Sequence, residues 1–307
     1  MEDSGSFGGC TRHEFRRLTS TNTSGDNVSR ETDTKHEYGY VCRETLMNRR
    51  TRSIAIVNQK GGVGKTTTAV NLAAALALAE QHVLLVDLDP QGNATTGLGI
   101  EKGDLYPSVY HVLLGSEPVD KAILATVFPH LRVLPSDIDL VGAEIELVGM
   151  ERREYRLQDA LSSVSSSENG YILIDCPPSL GLLTINALAA ADTVLVPLQC
   201  EFYALEGLTH LIKTVKLVRE RLNPALEIGG IVLTMFDGRT SLALQIRDEV
   251  HRYFPGKIFE TVIPRNVRLT EAPSHGRPVM LHDLRSSGAI AYLELARELI
   301  HHGGSTV

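Results

Sequence analysis

Lys60-Gly61-Gly62-Val63-Gly64-Lys65-Thr66-Thr67 follows the apolar run Ile54-Ala55-Ile56-Val57 and opens into an alanine-rich stretch. These residue types, in this order, suit a chain of phosphates. Gly61, Gly62 and Gly64 take away the side chains that would block a triphosphate. Successive backbone N–H groups, that of Val63 among them, and a helix N-terminus can then point at its oxygens. Lys65 can reach the β- and γ-phosphates, the Thr66 hydroxyl can ligate Mg²⁺, and Thr67 can add a contact to the α-phosphate. The general pattern G-x-x-x-x-G-K-[ST] asks for glycine at position 59, where this chain has Gln59, and a second lysine, Lys60, stands directly before the glycines.

Two further segments carry carboxylates to the same chemistry. His82-Val83-Leu84-Leu85-Val86-Asp87-Leu88-Asp89 and Gly170-Tyr171-Ile172-Leu173-Ile174-Asp175 each read as a buried parallel strand ending in acid. Ligands of open α/β sheets sit outside the carboxyl ends of the strands, so Asp87, Asp89, Asp175 and the glycine loop are expected to converge on one crevice. A strand-end turn or helix cap accounts better for Asp87, and a functional role better for Asp89 and Asp175. Phosphoryl transfer needs positive charge at the transferring group, a metal bridge and an oriented water. Lys65 supplies the charge, and Mg²⁺ is held by Thr66 and, through its water shell, by Asp175. Asp89 is the candidate for orienting the water, with a water-mediated contact to the metal as the alternative.

These segments stand among four that together resemble the ParA family of partition ATPases, most closely its Soj-like chromosomal branch. They are KGGVGKTT, DLDPQGNAT at Asp87–Thr95, ILIDCPPSLG at Ile172–Gly181 and IPRNVRLTEAPSHG at Ile263–Gly276. The resemblance runs from about Arg52 to about Ile300 and implies a P-loop NTPase fold. It implies slow ATP hydrolysis with Mg²⁺, stimulated by a ParB-type protein. It also implies a homodimer that sandwiches ATP, Lys60 reaching across to the partner's phosphates, and Asp89 positioning the attacking water. Pro264 and Asn266 fall where the adenine would be contacted. The family's DNA-contacting arginines map onto Arg239 and Arg268, for non-specific binding to double-stranded DNA by a cytoplasmic, nucleoid-associated protein. The alternative is a MinD-like, membrane-associated positioning ATPase. That branch needs a basic amphipathic C-terminal helix, whereas Tyr292–Gly304 contains acidic residues and no lysine, so no membrane partner is expected.

The elements that must position these residues follow from periodicity. Apolar runs at Ser53–Asn58, His82–Asp87, Leu131–Pro135, Tyr171–Asp175, Thr193–Leu198, Ile228–Met235 and Ile258–Ile263 read as strands. Helical patterns between them include Thr66–Ala79, Leu182–Ala191, Leu205–Leu222, Ser241–Phe254 and Gly288–His301. The alternation predicts an α/β fold with a mostly parallel twisted sheet and helices on both faces, in a single domain over residues 47–307. Met1–Leu46 is polar and aperiodic and is expected to be a disordered or non-core extension. Within it, Asn27–Thr32 can be encoded by AATGTTTCACGTGAAACA, which contains the inverted repeat TGTTTCACGTGAAACA, similar to the parS sites bound by partners of the family. The gene's own codons decide whether that DNA site is present.

Composition bounds the reading without finding it. Of 307 residues 43% are hydrophobic, enough for a full core, and the formal charge of −7 argues against indiscriminate nucleic-acid binding by the whole chain. Locally, Arg239–Arg285 carries eight Arg or Lys against five Asp or Glu. Four cysteines without C-x-x-C spacing imply neither zinc nor a disulfide framework, and the spacing does not match an iron protein with a shared cluster. No apolar run approaches the roughly 20 residues of a membrane span, so a soluble cytoplasmic protein is expected.

Overall fold

The computed structural model describes residues 51–103, 105–164 and 170–302. The expectations for Met1–Leu46 lie outside the described residues. A seven-stranded sheet organises the remainder: β1 Arg52–Ile56, β2 His82–Asp87, β3 Leu124–Ala125, β4 Leu131–Leu134, β5 Gly170–Asp175, β6 Thr193–Gln199 and β7 Glu227–Thr234. Their order is β3-β4-β2-β5-β1-β6-β7, and every pairing is parallel except the short β3–β4 ladder.

The helices, in chain order, are α1 Lys65–Leu78, α2 Asn93–Gly97, α3 Val109–Leu114, α4 Val119–Ala122, α5 Leu140–Glu146 and α6 Arg156–Leu161. They continue with α7 Leu182–Ala190, α8 Ala204–Arg221, α9 Ser241–Tyr253, α10 Val267–Glu271, α11 Val279–His282 and α12 Ser287–His302. Period two in the strands sorts the core into two layers. Ala55, Leu84, Val86, Ile172 and Ile174 pack with the layer containing α3 and α5–α9, while Ile54, Ile56, Val83, Leu85 and Leu173 pack with α1 and α12. Strands covered on both faces read as continuous aliphatic runs, and these do.

Helix α1 is buried almost all round because alanines let it lie close to the sheet and to α12 at once. Helix α12 presents Ala289, Tyr292, Leu295, Ala296 and Leu299 to that layer at helical spacing. Truncating a fully buried residue here, such as Leu76→Ala, would cost about 2–5 kcal/mol.

The run Ile258–Ile263, expected as a strand, is not one. It touches β7 at the single-residue bridge Ile231–Ile258 and again where the Ile263 N–H donates to the Leu233 carbonyl at 2.8 Å, and Pro264 just beyond it makes another bridge with Phe236. The reason is a competing acceptor: the backbone N–H groups of Glu260 and Thr261 donate to the Glu298 carboxylate of α12, at 2.7 and 3.0 Å. The ladder is broken where a strand would need it. Conversely, β3 is two residues long, too short for any periodicity to announce it.

Candidate nucleotide-binding site

The glycine loop leaves β1 and is braced from two sides. The Asn58 amide donates to the Pro197 carbonyl at 2.7 Å while its oxygen accepts from the Lys60 N–H at 3.0 Å. The Thr234 hydroxyl, at the end of β7, donates to the Val63 carbonyl at 2.7 Å. Gly62 (φ 74°) and Gly64 (φ 89°) hold left-handed backbone that a side chain would strain. A Cβ built at Gly61 or Gly62 would meet no protein atom within 4 Å, so the loop borders open space. Helix α1 begins on Gly64 with no side-chain cap. Its N-terminal N–H groups are therefore offered to an anion.

Lys65 is 7% exposed, and burial lowers its pKa while Asp175, Cys176 and Asp89 support its charge. Its ammonium donates to the Lys60 carbonyl at 3.2 Å. Asp87 and Asp175 are register partners on adjacent strands, and both are fully buried. Burial, and secondarily the Asp87 carboxylate, pushes Asp175 well above the usual carboxylate range, while the nearby Thr66 and Lys65 oppose the rise. Among the described residues, neither oxygen of Asp175 has a hydrogen-bond partner of good geometry. A buried carboxylate left in this state calls for a cation, and with Thr66 beside it the donor set is all oxygen, as Mg²⁺ requires.

Asp89 is 8% exposed and lines the cavity, its Oδ1 accepting from the Gln91 N–H at 2.9 Å. The cavity has a volume of about 420 Å³. One wall is Gly61, Gly62, Gly64, Lys65, Thr66 and Thr67; the others come from Asp89, Asn93, Pro178, Thr234, Met235, Pro264, Arg265, Asn266 and Tyr292. Met235 is a non-glycine residue at φ 48° on this wall, a conformation that persists only where the surroundings impose it. Asn266 caps α10 by accepting from the Arg268 N–H at 2.8 Å and donates to the Ser287 hydroxyl at 2.7 Å. It faces the cavity with its side chain largely committed.

The structure thus brings Gly61, Gly62, Gly64, Lys65, Thr66, Thr67, Asp89, Pro264 and Asn266 to one cavity, with Val63 in the loop behind. Lys60 is not part of the lining: its side chain is ion-paired with Glu201 in the segment after β6. Arg239 and Arg268 are surface residues. The Arg239 guanidinium, 90% exposed, binds both oxygens of Asp237 at 2.7 and 2.8 Å, which holds that carboxyl down at about 2. Arg268 pairs with Glu271 at 2.7 Å and with Asp283 at 3.4 Å.

Four residues at the site carry no motif. Asn58 and Thr234 brace the loop, Met235 lines the wall, and Tyr292 does so from α12 while its hydroxyl meets that of Thr68 at 3.1 Å. Only Asn58, a polar residue ending an apolar strand just before the loop, has a local signal that could have found it. Cys176 and Cys200 are free thiols, and burial pushes both upward, Cys200 to about 11. Thiols raised in this way are poor nucleophiles, Cys176 fully buried and Cys200 partly so.

Comparison with known proteins agrees with this geometry. A family model described as an AAA domain matches residues 51–228. The chain is 58% identical over 250 residues to the sporulation initiation inhibitor protein Soj of Bacillus subtilis, covering 81% of this chain and 98% of Soj. It is 57% identical over 252 residues to the chromosome partitioning protein ParA of Caulobacter vibrioides, with 81% and 94% covered. Among solved structures, a cobyrinic acid a,c-diamide synthase from Mycobacterium smegmatis with bound ADP and magnesium superimposes with a TM-score of 0.73. It is 39% identical, with 84% of this chain and 97% of that one covered. With a phosphate cradle, two strand-end carboxylates and this degree of identity over most of its length, the chain belongs to the ParA family of P-loop ATPases, beside the Soj chromosome-partitioning proteins.

Proposed function

We propose that this protein is a DNA-segregation ATPase in which ATP controls assembly and assembly controls DNA binding. The observation that carries the ATPase reading is the pairing of an uncapped, glycine-lined helix N-terminus with Asp175, a buried carboxylate whose oxygens have no hydrogen-bond partner of good geometry among the described residues. The loop N–H groups and Lys65 bind the phosphates, Lys65 exchanging the Lys60 carbonyl for a phosphate oxygen. Thr66 and, through its water shell, Asp175 would hold Mg²⁺, which would supply positive charge to offset the negative charge of the phosphates during transfer. Asp89 orients a water toward the γ-phosphate from the opposite wall.

Lys60 serves a second subunit in this reading. Its side chain is ion-paired with Glu201 and is not part of the lining of its own cavity, which supports a role across an ATP-sandwich dimer. The dimer binds duplex DNA through Arg239 and Arg268 without sequence preference and is released when a ParB-type partner accelerates hydrolysis. Nucleoid association in the cytoplasm follows from the DNA binding. Helix α12 buries its apolar stripe in the core, which speaks against use as a membrane anchor, and no helix among the described residues is long and apolar enough to cross a membrane.

Co-sedimentation with non-specific duplex DNA, with ATP, with ADP and without nucleotide, across a salt series, tests the whole scheme. The expected result is salt-sensitive pelleting with ATP alone. Equal pelleting in all three states would separate DNA binding from the nucleotide and overturn it.

A further inference from the structure

The Asp87 carboxylate is fully buried, yet it neither lines the cavity nor ends in a solvated turn. Such a group is tolerated only when hydrogen-bonded. Asp87 Oδ2 accepts from both the N–H and the hydroxyl of Thr95, each at 2.8 Å, and Oδ1 accepts from the Asp89 N–H at 3.2 Å. The Thr95 hydroxyl oxygen in turn accepts from the Ser136 N–H at 3.0 Å. Ser136, just beyond β4 and fully buried, closes the circuit by donating its own hydroxyl to the Asp89 carbonyl at 2.8 Å.

The consequence is that Asp89 is gripped at both ends of its backbone unit. Its carbonyl also accepts from the Gly92 N–H at 2.8 Å, and its Oδ1 is tied to Gln91. Gly92 sits at φ 56° so close to Ser136 that a Cβ there would lie 2.6 Å from the Ser136 carbonyl. Little freedom remains to the second carboxylate oxygen. A cap serving only α2 would need Asp87 and Thr95; it would not need a hydroxyl from behind β4 aimed at the Asp89 carbonyl.

We propose that Asp87, Thr95 and Ser136 form a buried clamp that positions the Asp89 carboxylate for ATP hydrolysis. The proposal rests on the reading of Asp89 as the group that orients water. Its three members are positioning residues that act through Asp89, so they set turnover and leave phosphate binding to the loop.

The test uses Thr95→Val, which keeps the shape and removes the hydroxyl, Thr95→Ser, which restores it, and Ser136→Ala. Phosphate release and binding of a fluorescent ATP analogue are measured on the full chain. Because a misplacement near 1 Å can cost about 100-fold, kcat should fall at least about 10-fold in Thr95→Val and Ser136→Ala, with analogue affinity held within about 2-fold. Thr95→Ser should recover most of the rate.

Adding Ser136→Ala to Asp89→Ala should slow hydrolysis no further than Asp89→Ala alone, since a residue that acts only through another has nothing left to do. Wild-type kcat in both clamp variants, an affinity loss in step with kcat, or a further multiplicative loss in the double variant would each overturn the clamp. Wild-type turnover by Asp89→Ala itself would remove the underlying reading of Asp89, and the clamp with it.

Discussion

The nucleotide cavity and the basic surface use the same kinds of charge in opposite ways. Lys65 in the cavity wall and Asp175, close to Lys65 and Thr66, are buried, and the Asp175 oxygens have no hydrogen-bond partner of good geometry among the described residues. On the surface, Arg239 and Arg268 are exposed and already paired with Asp237, Glu271 and Asp283. A buried charge without a full set of partners is expensive and persists where a ligand completes it. An exposed pair is worth about 0–1 kcal/mol, so a phosphate backbone can replace its carboxylate at little cost. One region is preorganised for a specific ligand; the other is already neutralised, and in the proposed reading an extended polyanion competes for its arginines.

That contrast breaks most directly at Lys65. Lys65→Ala should lower ATP affinity by more than about 100-fold, near 3 kcal/mol, because a buried charge-assisted contact to the phosphates is lost. Equilibrium binding of labelled ATP measures it, and near wild-type affinity would show that the cavity is not organised around this lysine.

Asp175→Asn sharpens the same side. Mg²⁺-dependent ATP binding should fall by about 10-fold or more, while the nucleotide-free protein should melt no lower than wild type, since the variant removes a buried charge that burial disfavours. The sign follows from linkage. A carboxyl whose folded pKa is raised binds its proton more readily in the folded state, so wild-type stability declines as pH rises from the unfolded value of 3.8 through the folded one. The Asn variant should lack that part of the slope in a pH series of melting curves.

Lys60 lies between the two regions. Lys60→Ala should bind ATP within about 3-fold of wild type and fail to dimerise with it, as its side chain is paired with Glu201 and does not line its own cavity. Light scattering with ATP decides, and normal dimers would end the cross-subunit reading.

On the surface the effects are smaller. Arg239→Glu or Arg268→Glu should weaken binding to all duplex sequences alike, by about 10-fold, and make the salt slope shallower by about one per lost phosphate contact. Asp237→Asn should do the reverse by about 2- to 5-fold, since it frees Arg239 from its carboxylate. A filter-binding series in salt checks both, and unchanged slopes would make this region only a solvated face.

What was legible in the sequence follows the same division. The phosphate loop, the strand-end acids and six of the seven expected strands could be read because each is encoded by adjacent residues. The unfulfilled strand, Ile258–Ile263, has strand-like residues but gives the backbone N–H groups of Glu260 and Thr261 to Glu298, an acceptor some forty positions away. Thr234 and Ser136 were silent for a related reason: a lone hydroxyl reports its partner only after folding brings Val63 or Asp89 to it. Asp87 looked like an ordinary strand end because burial, which gives it three hydrogen bonds and lifts it to about 6, is a tertiary property.

Helix α12 lies more than two hundred residues beyond the glycine loop, yet Tyr292 supplies a wall of the nucleotide cavity and a hydrogen bond to the helix that carries Lys65, while Glu298 holds the segment leading into Pro264. During synthesis, then, the glycine loop leaves the ribosome long before Tyr292 does, and its pocket is unfinished until that later residue has followed. Nascent chains stalled before Tyr292 should not retain ATP, and a tag or cleavage that frays this helix should read as a nucleotide-binding defect although it touches no phosphate.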